Sequence, residues 1–397
     1  MLSAFGCAKV ETYVKDTLKE DFPIDFSWYS TRNVFTKADP DYFVGDVAGS
    51  TSAERHLNSN TSMGVFGYFH PQESGSKGTW KTGAGEYNAP NLFYNEPVSI
   101  TENGGVYTYD YSNSRFWPRN KMDRISFIAY YPWNKLAEGD VISANTIVEP
   151  FLDKSSKRQG MVGFYYVVPQ NSDDQIDFCV SDLCLEQSKA EWTEDNNRGL
   201  TGTATGKVKF FFHHALSQIR VKNVDFDTAG NPDVEVKINY ILFRNVAVYG
   251  QCIPVPDFAH KDANTGRVPV APTWPAGSLV AKRPDTSSGV QAEVCFESPS
   301  TWKVEEFLLM IPHTFFKDAT IEVNFDVLRK KDAVSGEYYS YTGNTLSAPL
   351  TTTTVQEWQA GKIYTYSIKL DLKQIKVTAD VVDWLDAGDD VVMDKQS

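Results

Sequence analysis

The most constraining feature of this chain is its rhythm. Apolar side chains recur at every second residue over short runs, and Gly, Pro, Asn and Asp separate the runs. In PIDFSW, Ile24, Phe26 and Trp28 fall on one face. In VYTYDY, Val106, Thr108 and Asp110 alternate against the tyrosines. A period of two suits a pleated strand and no helix. ISFIAYYPW is a continuous apolar strand stopped by Pro132. KVKFFFHHALSQIRVKNVDF holds two strands, Val208–Phe212 and Gln218–Val224. EVKINYILFRNVAVYG, EFLLMIP, ATIEVNFDVL, KIYTYSIKLDL and QIKVTADVVDW have the same character. No amphipathic helix longer than about three turns is apparent; KVETYVKDTLKEDF reads as either a short helix or a strand. Many short strands spaced by turn residues predict an all-β chain built as a β-sandwich.

A chain of 397 residues has room for two domains. The polar, Gly/Thr-rich stretch LEQSKAEWTEDNNRGLTGTATG, with strands on both sides, is the expected boundary. This gives an N-terminal segment over 1–21, one β-sandwich over 22–195 and a second over 196–397. A second polar stretch, His260–Gly289, is rich in Pro and Gly and is expected to be an exposed excursion. The aromatic share of 13% fits pleated surfaces. The formal net charge of −13 repels phosphate backbones, so nucleic acid is not an expected partner. No run approaches the ~18 apolar residues of a membrane-spanning helix.

Cysteines are few. Cys179 and Cys184, in CVSDLC, are an odd number of residues apart and would face opposite sides of one strand. With Cys252 and Cys295 they read as buried free thiols, though an even number also admits one or two disulfides. Cys7 is different. It closes the small apolar stretch LSAFGC and is followed at once by charged residues. Gly6 suits the position before a lipid-modified cysteine, Ala4 is a weaker match and Phe5 is unusual. These residues alone fit either the tail of a lipoprotein signal or a chance cysteine near the N-terminus.

Catalytic and ligand-binding patterns are missing. GTATGKV at 202–208 has three residues between Gly and Gly-Lys where a phosphate loop needs four, and Val208 follows. GVFGYF is not a dinucleotide fingerprint. His213 and His214 are adjacent, so on a strand they face opposite ways and cannot share one metal without distortion. His56, His70, His260 and His313 lack metal-ligand spacing. No G-x-S-x-G is present. The acidic runs NSDDQID and DWLDAGDD miss the calcium-loop pattern. Trp28, Trp80, Trp117, Trp133, Trp274 and Trp302 could line a sugar platform, but most are expected in the core. The residues therefore predict no enzyme, no cofactor and no metal site.

An ordered set of stretches resembles the fimbrillin family of Bacteroidetes, the family of major and minor pilus subunits. In the first half these are MGVFGYF, PNLFYNEPVSI and YDYSNSRFWPRNKMDRISFIAYYPW. In the centre they are DFCVSDL and VKFFFHHALSQIRVKNV. FLLMIPHTF and WQAGKIYTYSIKLDLKQIKVTADVVDW follow in the second half. The resemblance spans roughly residues 22–385. It implies two tandem transthyretin-like β-sandwiches, export as a lipoprotein and attachment to the outer membrane through a lipid on Cys7. It also implies that an Arg-specific protease removes the N-terminal strand, cutting between Arg32 and Asn33, with Arg55 the second candidate. The partners would be other pilus subunits, which donate a strand to the opened groove; the adhesion ligand stays open. Val391, Val392 and Met393 are a thin apolar set for a C-terminal donor strand, so a tip-like position, or use of the strand before Trp384 as donor, is expected. The alternative is a non-polymerising surface lipoprotein that binds glycans through exposed aromatics.

Overall fold

The computed structural model describes residues 23–30, 62–83, 86–103, 106–120, 122–137, 146–152, 160–169, 175–188, 207–226, 232–263, 266–281, 294–297, 307–331, 336–370 and 375–383. Among these the chain is nearly all strand. Its helical residues are two three-residue turns, Phe258–His260 and Ala276–Ser278.

The largest sheet runs in the order β1 (Asp25–Ser30), β10 (Lys207–His214), β8 (Cys179–Ser181), β5 (Arg124–Tyr131), β2 (Ser62–His70), β3 (Phe93–Asn103) and β4 (Val106–Asp110). β9 (Leu183–Gln187) also pairs with β5 and carries the two-residue β14 (Arg267–Val268). A second sheet has the order β15 (Val270–Thr273), β13 (Tyr249–Pro256), β7 (Val162–Val167), β6 (Val148–Leu152). The remaining two sheets run β17 (Phe307–Met310), β11 (Ser217–Phe226), β20 (Lys362–Leu370), β21 (Ile375–Asp383) and β16 (Val294–Glu297), β12 (Val234–Arg244), β18 (Thr320–Lys330), β19 (Tyr338–Pro349). Sheets draw strands from both sides of residue 195: β10 pairs with β1 and β8, and β13 with β7.

β5 explains why ISFIAYY shows no alternation. It is buried along its whole length because both faces of its sheet are covered. Ile125, Phe127, Ala129 and Tyr131 point into one core, and Ile128 and Tyr130 into the other. Gly67 of β2 makes the first core possible: a Cβ there would lie 2.6 Å from the Phe93 ring. The second core runs continuously from Tyr130, Phe164 and Phe178 to the paired C-terminal sheets, where Phe243 packs edge-on against Trp358 and Tyr366. Hydrogen bonds join its two ends. Leu309 N donates to the Gln175 carboxamide oxygen at 2.6 Å, and the Trp274 indole donates to Ala215 O at 2.8 Å.

Two expectations are corrected. CVSDLC is not one strand. The chain breaks at Asp182 between β8 and β9, and Cys179 and Cys184 both face the first core. With Cys252 they are free and buried. The stretch His260–Gly289 is not simply an exposed excursion. Val268 and Val270 are buried, and Val270 N donates to Asp182 Oδ1 at 3.0 Å. Arg267 pairs with the same carboxylate at 3.2 Å and lies 4.0 Å over the Phe211 ring. Buried Val side chains and a shared carboxylate outweigh the Pro and Gly content of the segment.

Candidate functional site

The sequence directs attention to the first strand, and the structure gives it an unusual seat. β1 is an edge strand, hydrogen-bonded in parallel to β10 with Asp25 opposite Lys207 and Ser30 opposite Phe212. Alternation decides what it buries: Ile24 and Phe26 enter the first core. The Phe26 ring stacks on Phe210 at 5.6 Å and meets Phe93, Tyr111 and Phe127 at 5.3, 5.6 and 6.0 Å. Burying two such side chains contributes about 3–6 kcal/mol.

The chain after β4 runs back beside β1 as a strap. Ile24 N donates to Arg115 O at 2.7 Å, and Pro23 bridges to Phe116. The Tyr111 hydroxyl donates to Ile24 O at 2.6 Å. Burial raises the Tyr111 phenol above its ordinary value. Arg115 holds the strap down: its guanidinium bonds Glu96 Oε2 at 2.9 Å and lies 4.5 Å over Phe93. Ser112 donates to the other Glu96 oxygen, also at 2.9 Å.

β1 is thus a plug between β10 and the strap. Its ladder is one-sided, and among its described side chains Ile24 and Phe26 enter the core. Without it, the backbone of β10 and a slot lined by Phe93, Tyr111, Phe127 and Phe210 would be open. Such an edge is a template for another strand, with main-chain bonds supplying affinity and the slot fixing register.

Cys7, Arg32, Asn33 and Arg55 lie outside the described residues; Arg32 stands two positions after the last residue of β1 in the sequence. The adjacent histidines diverge as their spacing requires. His213 meets Asp182 at 2.6 Å and His214 meets Asp177 at 2.7 Å. Trp80 and Trp117 are buried. Trp133 and Trp274 are half-buried, their indoles bonded to Asn95 O and Ala215 O. The side chains of Trp28 and Trp302 lie outside those described. Among the described residues the most exposed aromatics are tyrosines, Tyr341 at 57% and Tyr339 at 55% on β19 and Tyr94 at 55% on β3. Composition and motif reading missed the strap. Its only trace was YSNSRFWP, whose Tyr111 and Arg115 become legible once they are seen beside β1.

A family model described as fimbrillin-like matches residues 50–384. No curated protein matches the chain. Among solved structures, a fimbrial protein from Bacteroides vulgatus is similar with a TM-score of 0.52 and 17% identity, over 91% of this chain and 99% of that one. At that identity the likeness is one of fold. A fimbrilin from Porphyromonas gingivalis aligns over 92% of this chain and 98% of its own, at 12% identity and a TM-score of 0.39.

Proposed function

The chain belongs to the fimbrillin-like family, and from that premise we propose that it is a structural, adhesive subunit of a fimbrillin-type pilus. In this reading it is exported as a lipoprotein, anchored to the outer membrane through Cys7 and built as two tandem β-sandwiches. It assembles by strand exchange after proteolysis between Arg32 and Asn33. The family is one of cell-surface fimbrial and adhesion proteins.

The observation that carries the reading is the seat of β1. A strand meant to be exchanged should be at an edge, lie upstream of the cut and leave a pre-formed slot. β1 is at an edge, and Phe26 sits in a ring of four aromatics contributed by other elements. At the opposite end, β21 is paired with β20 along its length, from Ile375 opposite Leu370 to Asp383 opposite Lys362. The last described strand, held in place, supports a tip-like position, where no donor is required. Its outer residues Val381 and Val382 are exposed, so β21 is also the candidate donor if the chain sits within the stalk.

The test is the N-terminus and intact mass of the protein purified from its native envelope. A chain beginning at Asn33, recovered in detergent-resistant oligomers, is expected. A diacylated Cys7 on an uncut chain would refute proteolytic assembly and leave an anchored surface protein. The glycan reading then follows, carried by the exposed tyrosines Tyr94, Tyr339 and Tyr341.

A further inference from the structure

Three side chains with metal-ligating atoms meet where β8 begins and β10 ends, just past the last rung of the β1–β10 ladder. Asp177 precedes β8, Cys179 opens it, and His214 closes β10 directly opposite Cys179 in the antiparallel ladder. His214 Nδ1 lies 2.7 Å from Asp177 Oδ2, Cys179 Sγ lies 3.2 Å from the same oxygen, and Sγ and Nδ1 are 3.9 Å apart. Their exposures are 1% for Asp177, 0% for Cys179 and 6% for His214. A hydrogen-bonded trio, with imidazole and thiol both donating to one oxygen, accounts for Oδ2 but not for what surrounds it. The other carboxylate oxygen, Asp177 Oδ1, is fully buried and makes no hydrogen bond. Buried polar atoms without partners are rare and costly, and an ion is one of the few things that answers them.

We propose that Asp177, Cys179 and His214 form a buried site for a divalent transition-metal cation of Zn²⁺ type. The donor set is sulfur, nitrogen and oxygen, which suits zinc and excludes the hard cations Mg²⁺ and Ca²⁺. The geometry fits too. A point equidistant from the three donor atoms lies about 2.0 Å from each, given separations of 2.7, 3.2 and 3.9 Å. A zinc with bonds of about 2.0–2.3 Å sits just above such a triangle, and the 2.7 Å Nδ1–Oδ2 edge opens by about half an ångström to reach a tetrahedral angle. Charge balances as well: thiolate, carboxylate and neutral imidazole together neutralise a divalent ion. On capture the Cys179 thiol proton leaves to solvent. The imidazole keeps its single proton by carrying it on Nε2, which frees Nδ1 to ligate. Asp177 Oδ1 then becomes the second oxygen of a chelating carboxylate. Spacing rules could not reveal the set, because His214 arrives from another strand.

The site is closed, so the ion is expected to enter as the chain folds. The full chain, stripped by chelator in denaturant, is refolded with Co²⁺ alone and desalted. One bound cobalt per chain is expected, with thiolate-to-cobalt charge-transfer absorption that added Zn²⁺ abolishes. Cys179→Ser and Asp177→Asn should each weaken retention at least tenfold, while Cys184→Ser and Cys252→Ser keep the absorption. Should Cys179→Ser fail to fold, a chain whose only cysteine is Cys179 decides the matter, because it must still give the band. No retained cobalt in the unaltered chain, a band that survives Cys179→Ser, or a single-cysteine chain without the band would overturn the proposal.

Discussion

Truncating Phe26 to alanine should loosen one strand far more than it loosens the fold. The ring is fully buried and touches Phe93, Tyr111, Phe127 and Phe210. Removing such a ring typically costs about 3–5 kcal/mol, transfer and cavity included. Among the described residues β1 is an edge strand with β10 as its only ladder partner, and its other side is held by the strap. The cost should therefore fall on local detachment of β1, whose open population should rise by roughly two to four powers of ten at about 1.4 kcal/mol per decade. Native-state hydrogen exchange reads this directly, by comparing amides of residues 25–30 with those of β5. Phe127→Ala is the matched control. It empties the same core from a central strand, so β1 and β5 amides should accelerate together. Cleavage at Arg32 by an arginine-specific protease should follow the same order. If Phe26→Ala accelerates β1 and β5 amides equally, β1 is an integral strand and the plug description fails.

Two further outcomes follow from buried groups. His70 sits 3.1 Å from Ser126 Oγ and edge-on to Trp80, and burial, reinforced by the charge of Lys81, lowers its pKa to about 4. The unfolded chain takes up this proton near pH 6.5 and the folded one only near 4. Stability should therefore fall as the pH drops through that window, by about 3 kcal/mol in all, and level off below it. Denaturant melts across pH 4 to 7 should show this slope, and His70→Gln should flatten it. Gly160→Ala should destabilise by about 2 kcal/mol or more. Its φ is +85° and a Cβ would fall 1.7 Å from Asn88 O, which a thermal melt of the variant would register.

The strand content was legible where one face meets solvent or a turn residue marks an end. PIDFSW, FFFHH and the segments that became β11, β18 and β20 stand close to where alternation placed them. β6 and β7 escaped notice. VGFYYV is buried throughout and shows no period, and Pro150 interrupts VEPFL. β19 was hidden by Gly343 and Asn344 inside a strand whose first half is exposed. The facing of Cys179 and Cys184 was misread because Asp182, which breaks the strand between them, gave no signal of its own. Its role depends on His213 and Arg267, which reach it from other elements. The site divides in the same way. Ile24 and Phe26 were visible as an apolar face, but what receives them was not. Phe93, Tyr111 and Phe210 come from three separate elements, and period-two reasoning says nothing about which faces will meet.

The parallel direction of β1 against β10 also has a mechanical meaning. Suppose tension enters through the chain ahead of β1 and leaves through the chain that follows β10. The two strands are then drawn past one another lengthwise. The evenly spaced bonds of a parallel ladder, from Asp25–Lys207 to Ser30–Phe212, share that load at the same moment. An antiparallel hairpin pulled from its open end yields its bonds one after another. The same ladder that lets β1 be withdrawn sideways therefore resists a pull along its length. The join is easy to make and unmake from the side, yet stiff against drag.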